Sequence, residues 1–196
     1  MLCNIIQKGN LVKRFFDVFL ALVLLPVALL LCGIACIAIR LETPGSPLFL
    51  QTRVGRNMKK FTLWKLRSMA TGTKSVGSHE IGGAHVTKIG RIIRRLKIDE
   101  LPQIINVLLG DMSFVGPRPC LVTQTELIAE RERRDVFKVR PGITGPAQVL
   151  GIDMSTPKLL AETDATYIKT QSFGKDMKLI AQTALGAGQG DAAKSL

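Results

Sequence analysis

The sequence predicts a mainly helical α+β fold with a small β-hairpin and one N-terminal membrane helix. Three observations predict it: an uncharged apolar run near the N-terminus, two short β-type segments separated by a turn, and helical periodicity between Gly and Pro breaks elsewhere. The 196 residues suffice for one hydrophobic core but not for two full domains. We therefore expect a membrane-inserted segment at residues 1–42, a folded domain at 43–185 and a flexible tail at 186–196.

The composition narrows the class of protein. A hydrophobic content of 46% combined with a formal net charge of +12 suits a protein beside an anionic membrane surface. The chain has one Trp and one Tyr, so its basic region lacks the aromatic platform that nucleic-acid binding uses. Four cysteines and two histidines, with no Cys-x-x-Cys pair and no Cys/His cluster, argue against a zinc site and a disulfide scaffold. The basic charge therefore points to lipid or to a phosphorylated substrate.

The first element is the apolar run at residues 18–39, which contains no charged side chain. Its 22 residues would cover about 33 Å as a helix, enough to cross the core of a bilayer. A cleaved signal peptide fits less well, because its apolar core is usually about 7–15 residues long and Arg40-Leu41-Glu42 is a poor cleavage region. A retained membrane segment is favoured over a signal peptide and over a buried helix of a soluble protein.

The topology of this segment is predicted from its flanks and from Pro26. Basic residues at both ends favour placing both ends on the cytoplasmic side, and Pro26 disrupts a helix interior. A re-entrant helix with a break at Pro26, entering and leaving by one face, satisfies both observations. A simple span is the alternative that length alone permits. The flanking basic residues are Lys8, Lys13, Arg14, Arg40, Arg53, Arg56, Lys59 and Lys60.

The elements that follow begin with a β-hairpin. The Pro- and Gly-containing cluster at residues 43–47 ends the membrane segment. Strands are predicted at residues 48–54 and 61–67 around a turn at 55–57. Residues 70–83 are rich in Gly, Ser and Thr, which predicts a mobile loop over a site.

Helices are predicted over the rest of the domain. Residues 88–97 form an amphipathic helix that suits either a membrane interface or an ordinary surface helix. Its apolar face comprises Ile89, Ile92, Ile93 and Leu96. The further predicted helices are an apolar one ending at Leu109 before Gly110, a charged and exposed one at 125–136, one that opens at Thr156-Pro157, and an amphipathic one at 175–185.

The adjacent carboxylates Asp99 and Glu100 are the first candidates for chemistry. Such a pair can simply cap a helix. Their setting favours a functional role, because twelve Lys and Arg residues lie at positions 53–97 against a single acid, Glu80. One carboxylate could act as a nucleophile and the other bind a divalent cation, since Mg²⁺ typically takes one or two carboxylates plus substrate phosphates.

Three arginines are candidates for binding phosphate. Arg118 lies between two prolines, Arg140 precedes Pro141 and Gly142, and Arg67 ends the second predicted strand. The planar guanidinium group suits bidentate recognition of phosphate. Each arginine alone is also compatible with an ordinary surface position, but together they predict a polyanion site on a membrane-anchored domain.

Short motifs follow one another in a fixed order over most of the chain. They are QTRVG at 51–55, KLRSM at 65–69, TKIG at 87–90 with Arg94, DELPQ at 99–103, VGPRP at 115–119, RPGITG at 140–145, and Asp164 with Tyr167. This order resembles the bacterial sugar transferases, the monotopic phosphoglycosyl transferases that start lipid-linked glycan assembly, in their small form with a catalytic domain only.

The resemblance implies an architecture, a location and partners. It implies one re-entrant membrane helix, interfacial amphipathic helices, and a helix-rich catalytic domain on the cytoplasmic face of the bacterial inner membrane. The implied substrates are a UDP-sugar and polyprenyl (undecaprenyl) phosphate. Contact with membrane lipids and a possible oligomer are part of this expectation, and nucleic acid is not.

The resemblance also implies a mechanism. Asp99 would attack the β-phosphorus of the UDP-sugar, displace UMP and form a covalent intermediate that polyprenyl phosphate then attacks. Glu100 would hold Mg²⁺, while Arg94 and Arg118 would contact phosphates or the nucleotide. The implied phosphate- or nucleotide-binding set is Arg67, Arg94, Arg118, Arg140 and Asp164, with Asp164 supporting the site. The competing hypothesis is a non-catalytic, membrane-anchored basic module that binds anionic lipid.

Overall fold

The computed structural model of the chain describes residues 2–73 and 85–188, with side chains from residue 11 onward. Most of the loop predicted at 70–83 and of the tail predicted at 186–196 lies outside the described residues. The helices are α1 Leu2–Glu42, α2 Lys88–Arg95, α3 Gln103–Leu109, α4 Thr125–Arg133, α5 Pro146–Val149, α6 Pro157–Thr170 and α7 Phe173–Ala184. The strands are β1 Leu48–Val54, β2 Lys60–Leu66, β3 Ser113–Val115, β4 Cys120–Leu121 and β5 Gly142–Thr144. With 57% of the structure helical, the predicted mainly helical fold with a small sheet is confirmed.

The small sheet is built on the predicted hairpin. Strands β1 and β2 pair antiparallel with Thr52 opposite Thr62, and β4 joins the other edge of β1. Strands β3 and β5 form a separate parallel pair. The backbones are in close contact there, since a Cβ added to Gly142 would lie 2.1 Å from the backbone nitrogen of Gly116. The two glycines thereby hold the segment after β3, which carries Arg118, against β5.

Helix α1 packs one narrow stripe of its surface against the domain. The stripe consists mainly of small or polar residues, spaced four and seven apart as one helix face requires: Asp17, Ala21, Ala28, Ala35 and, at its end, Ile39, all buried. Most of the remaining apolar side chains are exposed, and only 17% of the most apolar 18-residue window is buried. By length and composition α1 could cross a membrane, and its exposed apolar surface makes it a candidate membrane anchor.

The helix is continuous across Pro26, so no interruption appears where the re-entrant break is predicted. Proline lacks the N–H that would bond to the carbonyl of Leu22, and the Pro26 side is exposed rather than packed on the domain. The helix therefore loses one hydrogen bond there without disturbing the buried stripe. The re-entrant geometry stays a prediction.

Both ends of the described part of α1 are bonded to the domain. Near its start, Arg14 donates to the carbonyl oxygens of Val107 and Leu108 at 2.6 and 3.1 Å. At its end, the Glu42 carboxylate accepts from the backbone N–H groups of Lys88 and Ile89 at 2.7 and 3.1 Å. These bonds satisfy orphan groups at the end of α3 and the start of α2, so α1 is an integral part of the fold.

The predicted apolar face of α2 is divided between core and surface. Ile93 is buried with Leu66 and Ile39, whereas Ile92 and Leu96 are 54% and 62% exposed. A single surface helix would bury all of its apolar face, so α2 both packs on the core and offers an apolar edge. Its packing on the core agrees with the surface-helix interpretation, and its position at a membrane interface stays a prediction.

Helix α4 differs from the charged, exposed helix predicted at residues 125–136. It is shorter, Thr125–Arg133, and two of its side chains are buried, Leu127 and Arg131. Leu127 packs with Leu160 and Ala161 of α6 in one of the hydrophobic clusters. The predicted exposure holds for most of the helix but not for Leu127 and Arg131, because a run of alternating acids and bases does not reveal which arginine has a buried partner.

Candidate active site

A cavity of about 840 Å³ lies between the hairpin, α2 and α7. One part of its wall is cationic and comprises Lys65, Arg67, Arg94, Lys97 and Arg118. Another part is apolar and comprises Leu24, Phe49, Leu96, Leu101, Ile104 and Ile180. Asp99 and Glu100 line the same cavity. Because Leu24 belongs to α1, the candidate membrane helix forms part of the wall.

The backbone around the carboxylate pair is unusual. Lys97 has φ 56°, in the left-handed region that residues with a Cβ rarely adopt. A single 3₁₀ turn, Ile98–Glu100, then carries both acids, and α3 begins only after Pro102. Neither acid provides a side-chain cap for these helices, so the capping interpretation of the pair is not supported. The strained residue next to two acids in a cavity is the pattern typical of functional sites.

Glu100 is held in its ionised form by two cations. Its Oε1 accepts from Lys65 Nζ at 2.8 Å and from Arg118 Nη2 at 3.4 Å. Burial raises the pKa of Glu100, but the charges of Lys65 and Arg118 outweigh burial and lower it to about 2. Glu100 is therefore an anion throughout the physiological pH range.

Asp99 has the opposite environment. Its exposed fraction is 9%, and its carboxylate accepts no hydrogen bond from any side chain or amide in residues 11–73 or 85–188. Burial, followed by the charge of Glu100, raises the pKa of Asp99 to about 6 despite the nearby cations. Two adjacent carboxylates with separated pKa values are the arrangement by which active sites assign different roles to similar groups. Of the two acids, Asp99 is thus the one with the higher pKa.

Arg94 reaches the cavity from α2. Its Nε donates to Ser68 Oγ at 2.8 Å. The contact depends on Gly90, because a Cβ at that position would lie 2.0 Å from the carbonyl oxygen of Ser68. The side chain of Thr87 caps α2 by accepting from the N–H of Gly90. A glycine and a capping threonine in the TKIG motif therefore place Arg94 against the end of the hairpin.

Arg67 lines the cavity but also fixes the chain that leaves α1. Its guanidinium group donates to the carbonyl oxygens of Thr43 and Pro44, each at 2.8 Å. Nε of Arg67 is buried without a hydrogen-bond partner among the described residues. The side chain is therefore both a structural link and a remaining donor beside the cavity.

Two residues of the predicted phosphate-binding set do not line the cavity. Arg140 donates from Nε to the carbonyl oxygen of Gly110 at 2.8 Å, where it extends the polar end of α3. Asp164 is 1% exposed and accepts from Nε and Nη2 of Arg131 at 3.0 and 2.7 Å. In the part of the chain that the structure describes, neither side chain reaches Asp99.

Three basic residues near the site were not among the site residues predicted from the sequence. Lys65 bonds Glu100, Lys97 donates from Nζ to the carbonyl oxygen of Ala187 at 2.7 Å, and Arg131 is buried behind Arg118. Lys65 lies in the KLRSM motif, so its strand position was an available signal. The Ala187 contact also shows that residues 186–188, predicted as part of a frayed tail, lie beside the cavity.

The side chains near Asp99 and Glu100 decide whether the predicted Mg²⁺ fits. Among the described residues, no group of three or more His, Cys, Asp and Glu side chains could enclose a metal ion. Adjacent carboxylates still fit Mg²⁺, which usually binds one or two carboxylates and completes its shell with water and substrate phosphates. The residues therefore fit an ion shared with a phosphorylated substrate rather than a closed structural site.

Comparison with known proteins identifies the family. The family described as bacterial sugar transferase matches residues 8–189. The chain is 37% identical over 182 residues to the UDP-N-acetylgalactosamine-undecaprenyl-phosphate N-acetylgalactosaminephosphotransferase of Aeromonas hydrophila, a match that covers 88% of the chain and 42% of that relative. It is 40% identical over 183 residues to the UDP-glucose:undecaprenyl-phosphate glucose-1-phosphate transferase of Caulobacter vibrioides, covering 89% and 68%.

A third relative is similar in size to the matched region. The uncharacterized sugar transferase EpsL of Bacillus subtilis is 40% identical over 174 residues, which cover 88% of the chain and 85% of that protein. The chain thus spans less than half of the Aeromonas protein but most of EpsL. A match over nearly the whole chain, together with several relatives above one-third identity, confirms the resemblance seen in the motifs. The chain belongs to the bacterial sugar transferase family.

Proposed function

We propose that this chain is a phosphoglycosyl transferase, which moves a sugar 1-phosphate from a UDP-sugar to polyprenyl phosphate and releases UMP. The observation that carries the proposal is the buried Asp99, with its pKa raised to about 6, on the wall of a cation-lined cavity that α1 borders. The names of the relatives from Aeromonas and Caulobacter specify UDP-sugars and undecaprenyl phosphate, in agreement with this choice of substrates.

In the first half-reaction, a carboxylate oxygen of Asp99 attacks the β-phosphorus of the UDP-sugar. The bond between that phosphorus and the bridging oxygen breaks, and the oxygen leaves with UMP. Attack by one anion on another requires positive charge around both, and the cavity supplies Lys65, Arg94 and Arg118. These fixed cations stabilise the charge that develops on the diphosphate without reorganising.

In the second half-reaction, a phosphate oxygen of the polyprenyl phosphate attacks the sugar-phosphoryl group on Asp99. The bond between Asp99 and phosphorus breaks, the lipid diphosphate-sugar forms, and the Asp99 carboxylate is regenerated. The apolar part of the wall, which includes Leu24 and Ile180, suits the first isoprene units of the lipid. Two displacements at one phosphorus use the same cations twice.

Glu100 would hold Mg²⁺ together with the substrate diphosphate, as its permanent negative charge suits. When bound, the ion would neutralise diphosphate charge and assist the departure of UMP. We expect UMP release to fall to background in excess EDTA and to return when Mg²⁺ is restored. Full activity in EDTA would remove the metal from the proposal and leave charge neutralisation to Lys65 and Arg118.

The proposal places the chain at the bacterial inner membrane, with the domain on the cytoplasmic face, where nucleotide sugars are made available. The bonds from Arg14 to α3 and from Glu42 to α2 support one membrane face for both ends of α1, although the helix is continuous across Pro26. A straight span would carry Arg14 to the membrane face opposite Glu42, about 42 Å away along the helix. Both residues bond to the same domain, which favours entry and exit on one face.

The test is UMP release by membranes containing the protein, supplied with polyprenyl phosphate and a panel of UDP-sugars. We expect one or a few donors to yield UMP and Asp99→Asn to abolish it, because the amide is not a nucleophile toward phosphorus. Membrane association of the variant serves as the control and should be unchanged. Retained turnover in Asp99→Asn would exclude the covalent role. Binding to anionic vesicles without UMP release from any donor would favour the lipid-binding module instead.

A further inference from the structure

Two buried arginines hold consecutive carbonyl groups of the Gly116–Pro119 segment. Arg131 Nη1 donates to the carbonyl oxygen of Arg118 at 2.7 Å, and Arg53 Nη1 donates to the carbonyl oxygen of Pro119 at 2.9 Å. Their exposed fractions are 1% and 8%. The side chain of Arg118 points from the same segment to Glu100, so the two arginines hold the backbone of the segment whose side chain meets the carboxylate.

Arg131 is buried at a cost that its partners must offset. An unpaired buried guanidinium is strongly destabilising, whereas a paired one can break even. Asp164 accepts two of the N–H groups of Arg131, from Nε and Nη2. A third, from Nη1, is directed at the backbone of Arg118 rather than at another acid. Arg131 therefore uses two N–H groups to pair with Asp164 and a third to hold the loop that carries Arg118.

We propose that Arg131, oriented by Asp164, is a positioning residue that fixes Arg118 for its contact with the diphosphate substrate. Arg53, oriented by Gln51, performs the same role one carbonyl further along. The proposal rests on the proposed function. It also gives Asp164 a defined task, since the carboxylate acts through Arg131 and the backbone of Arg118 and does not contact the nucleotide itself.

The mechanism is geometric. Prolines on either side of Arg118 restrict the φ angles around it, but rotation of the whole segment remains open unless its carbonyls are held. Lysine has a single ammonium group, so it cannot donate two hydrogen bonds to Asp164 and also reach the carbonyl of Arg118. Arg131→Lys therefore preserves the buried charge pair and releases the loop.

The test is a double-mutant cycle on kcat/KM for the UDP-sugar, combining Arg131→Lys with Arg118→Ala. Positioning residues that act through a ligand-contacting group typically contribute about 10- to 100-fold. We expect Arg131→Lys to lower kcat/KM by about tenfold or more in the wild-type background. In the Arg118→Ala background it should change kcat/KM by less than about twofold, because the side chain it positions is already absent.

Arg134→Lys is the matched control. Arg134 directly follows the same helix and also pairs with an acid of α6, Glu162, at 3.1 Å, but it has no bond to the Arg118 loop among the described residues. We expect it to leave kcat/KM unchanged. Arg53→Lys is measured in the same cycle. If Arg131→Lys fails to fold, which loss of its cooperative thermal transition would reveal, Arg53→Lys still tests whether the loop must be held.

Affinity for inorganic pyrophosphate, measured by calorimetry in the same proteins, separates the two proposals. Suppose that positions 131 and 118 are coupled in pyrophosphate binding but no UDP-sugar yields UMP. That result would retain the positioning role and overturn the proposed function. An equal loss in both backgrounds for both lysine variants would overturn the positioning role, as would no loss in the wild-type background.

Discussion

The adjacent carboxyl groups of Asp99 and Glu100 have pKa values shifted in opposite directions. Lys65 and Arg118 bond Glu100 and keep it ionised, whereas Asp99 is buried beside that negative charge and its pKa rises to about 6. The sequence predicted both acids because they are adjacent and face a basic segment. It could not predict which would be the easier to protonate, because that depends on Lys65, which lies 35 residues away.

The raised pKa of Asp99 predicts a pH dependence. If Asp99 is the nucleophile, as proposed, only its ionised form reacts, so kcat/KM for the UDP-sugar should rise with pH, reach half its plateau near pH 6, and fall about tenfold for each unit below that. The charge of Glu100 contributes to the shift, so Glu100→Gln should move the midpoint to lower pH at a reduced plateau. A profile that is flat down to pH 5, or a midpoint unaffected by Glu100→Gln, would contradict the assignment.

Arg131 illustrates the limit of sequence reasoning at the same scale. In the printed sequence it belongs to a run of three arginines interleaved with acids at residues 130–134, and periodicity treats all of them as exposed. Its burial depends on Asp164, 33 residues further along the chain. A pairing between helices over that distance leaves no local pattern, whereas Arg118 was recognisable from its flanking prolines alone.

At the scale of elements, the predictions that rest on strong local patterns agree best with the structure. The predicted strand at 48–54 coincides with β1, and β2 is displaced from its prediction by one residue, because alternation and a turn define a hairpin locally. Gly110 ends α3 as expected, with φ 92° in the left-handed region. The close approach of α2 to the hairpin end was not predictable, since nothing in TKIG indicates which backbone faces Gly90.

Gly90→Ala tests that approach. The added Cβ would meet the backbone oxygen of Ser68 at 2.0 Å, so α2 must move and carry Arg94 with it. We expect a lower melting temperature and a loss of about tenfold or more in kcat/KM, since a displacement of about 1 Å can cost 100-fold. Gly174→Ala in the first turn of α7 is the control, because a Cβ there meets nothing within 4 Å. Equal behaviour of the two variants would refute the proposed contact.

For the whole molecule, the excess of positive charge is concentrated where the site lies. Twelve of the 27 Lys and Arg residues lie at positions 53–97, and the structure brings several of them to the cavity wall beside α1. Composition therefore predicted an anion-binding protein near a membrane, and motif order predicted the family. Neither predicted the continuous α1, because its path across Pro26 is set by packing of the alanine stripe rather than by local propensity.

The contacts at both ends of α1 predict that the N-terminus and the domain share one membrane face. Single cysteines at Asn10→Cys and Lys158→Cys, in a chain whose four native cysteines are replaced by serine or alanine, should respond alike to a membrane-impermeant maleimide. We expect both to be protected in intact cells and both to react in inverted vesicles. Labelling of one site in each preparation would instead establish a simple span.

Because Leu24 lies in the wall of the cavity and Glu42 caps α2, the candidate membrane helix is also a structural part of the candidate active site. We expect removal of residues 1–42 to abolish activity, because the cavity would lose part of its wall and α2 would lose the Glu42 carboxylate that caps it. An unrelated hydrophobic helix could not replace α1. An engineered version of this chain therefore has to keep the packing of α1 against the domain.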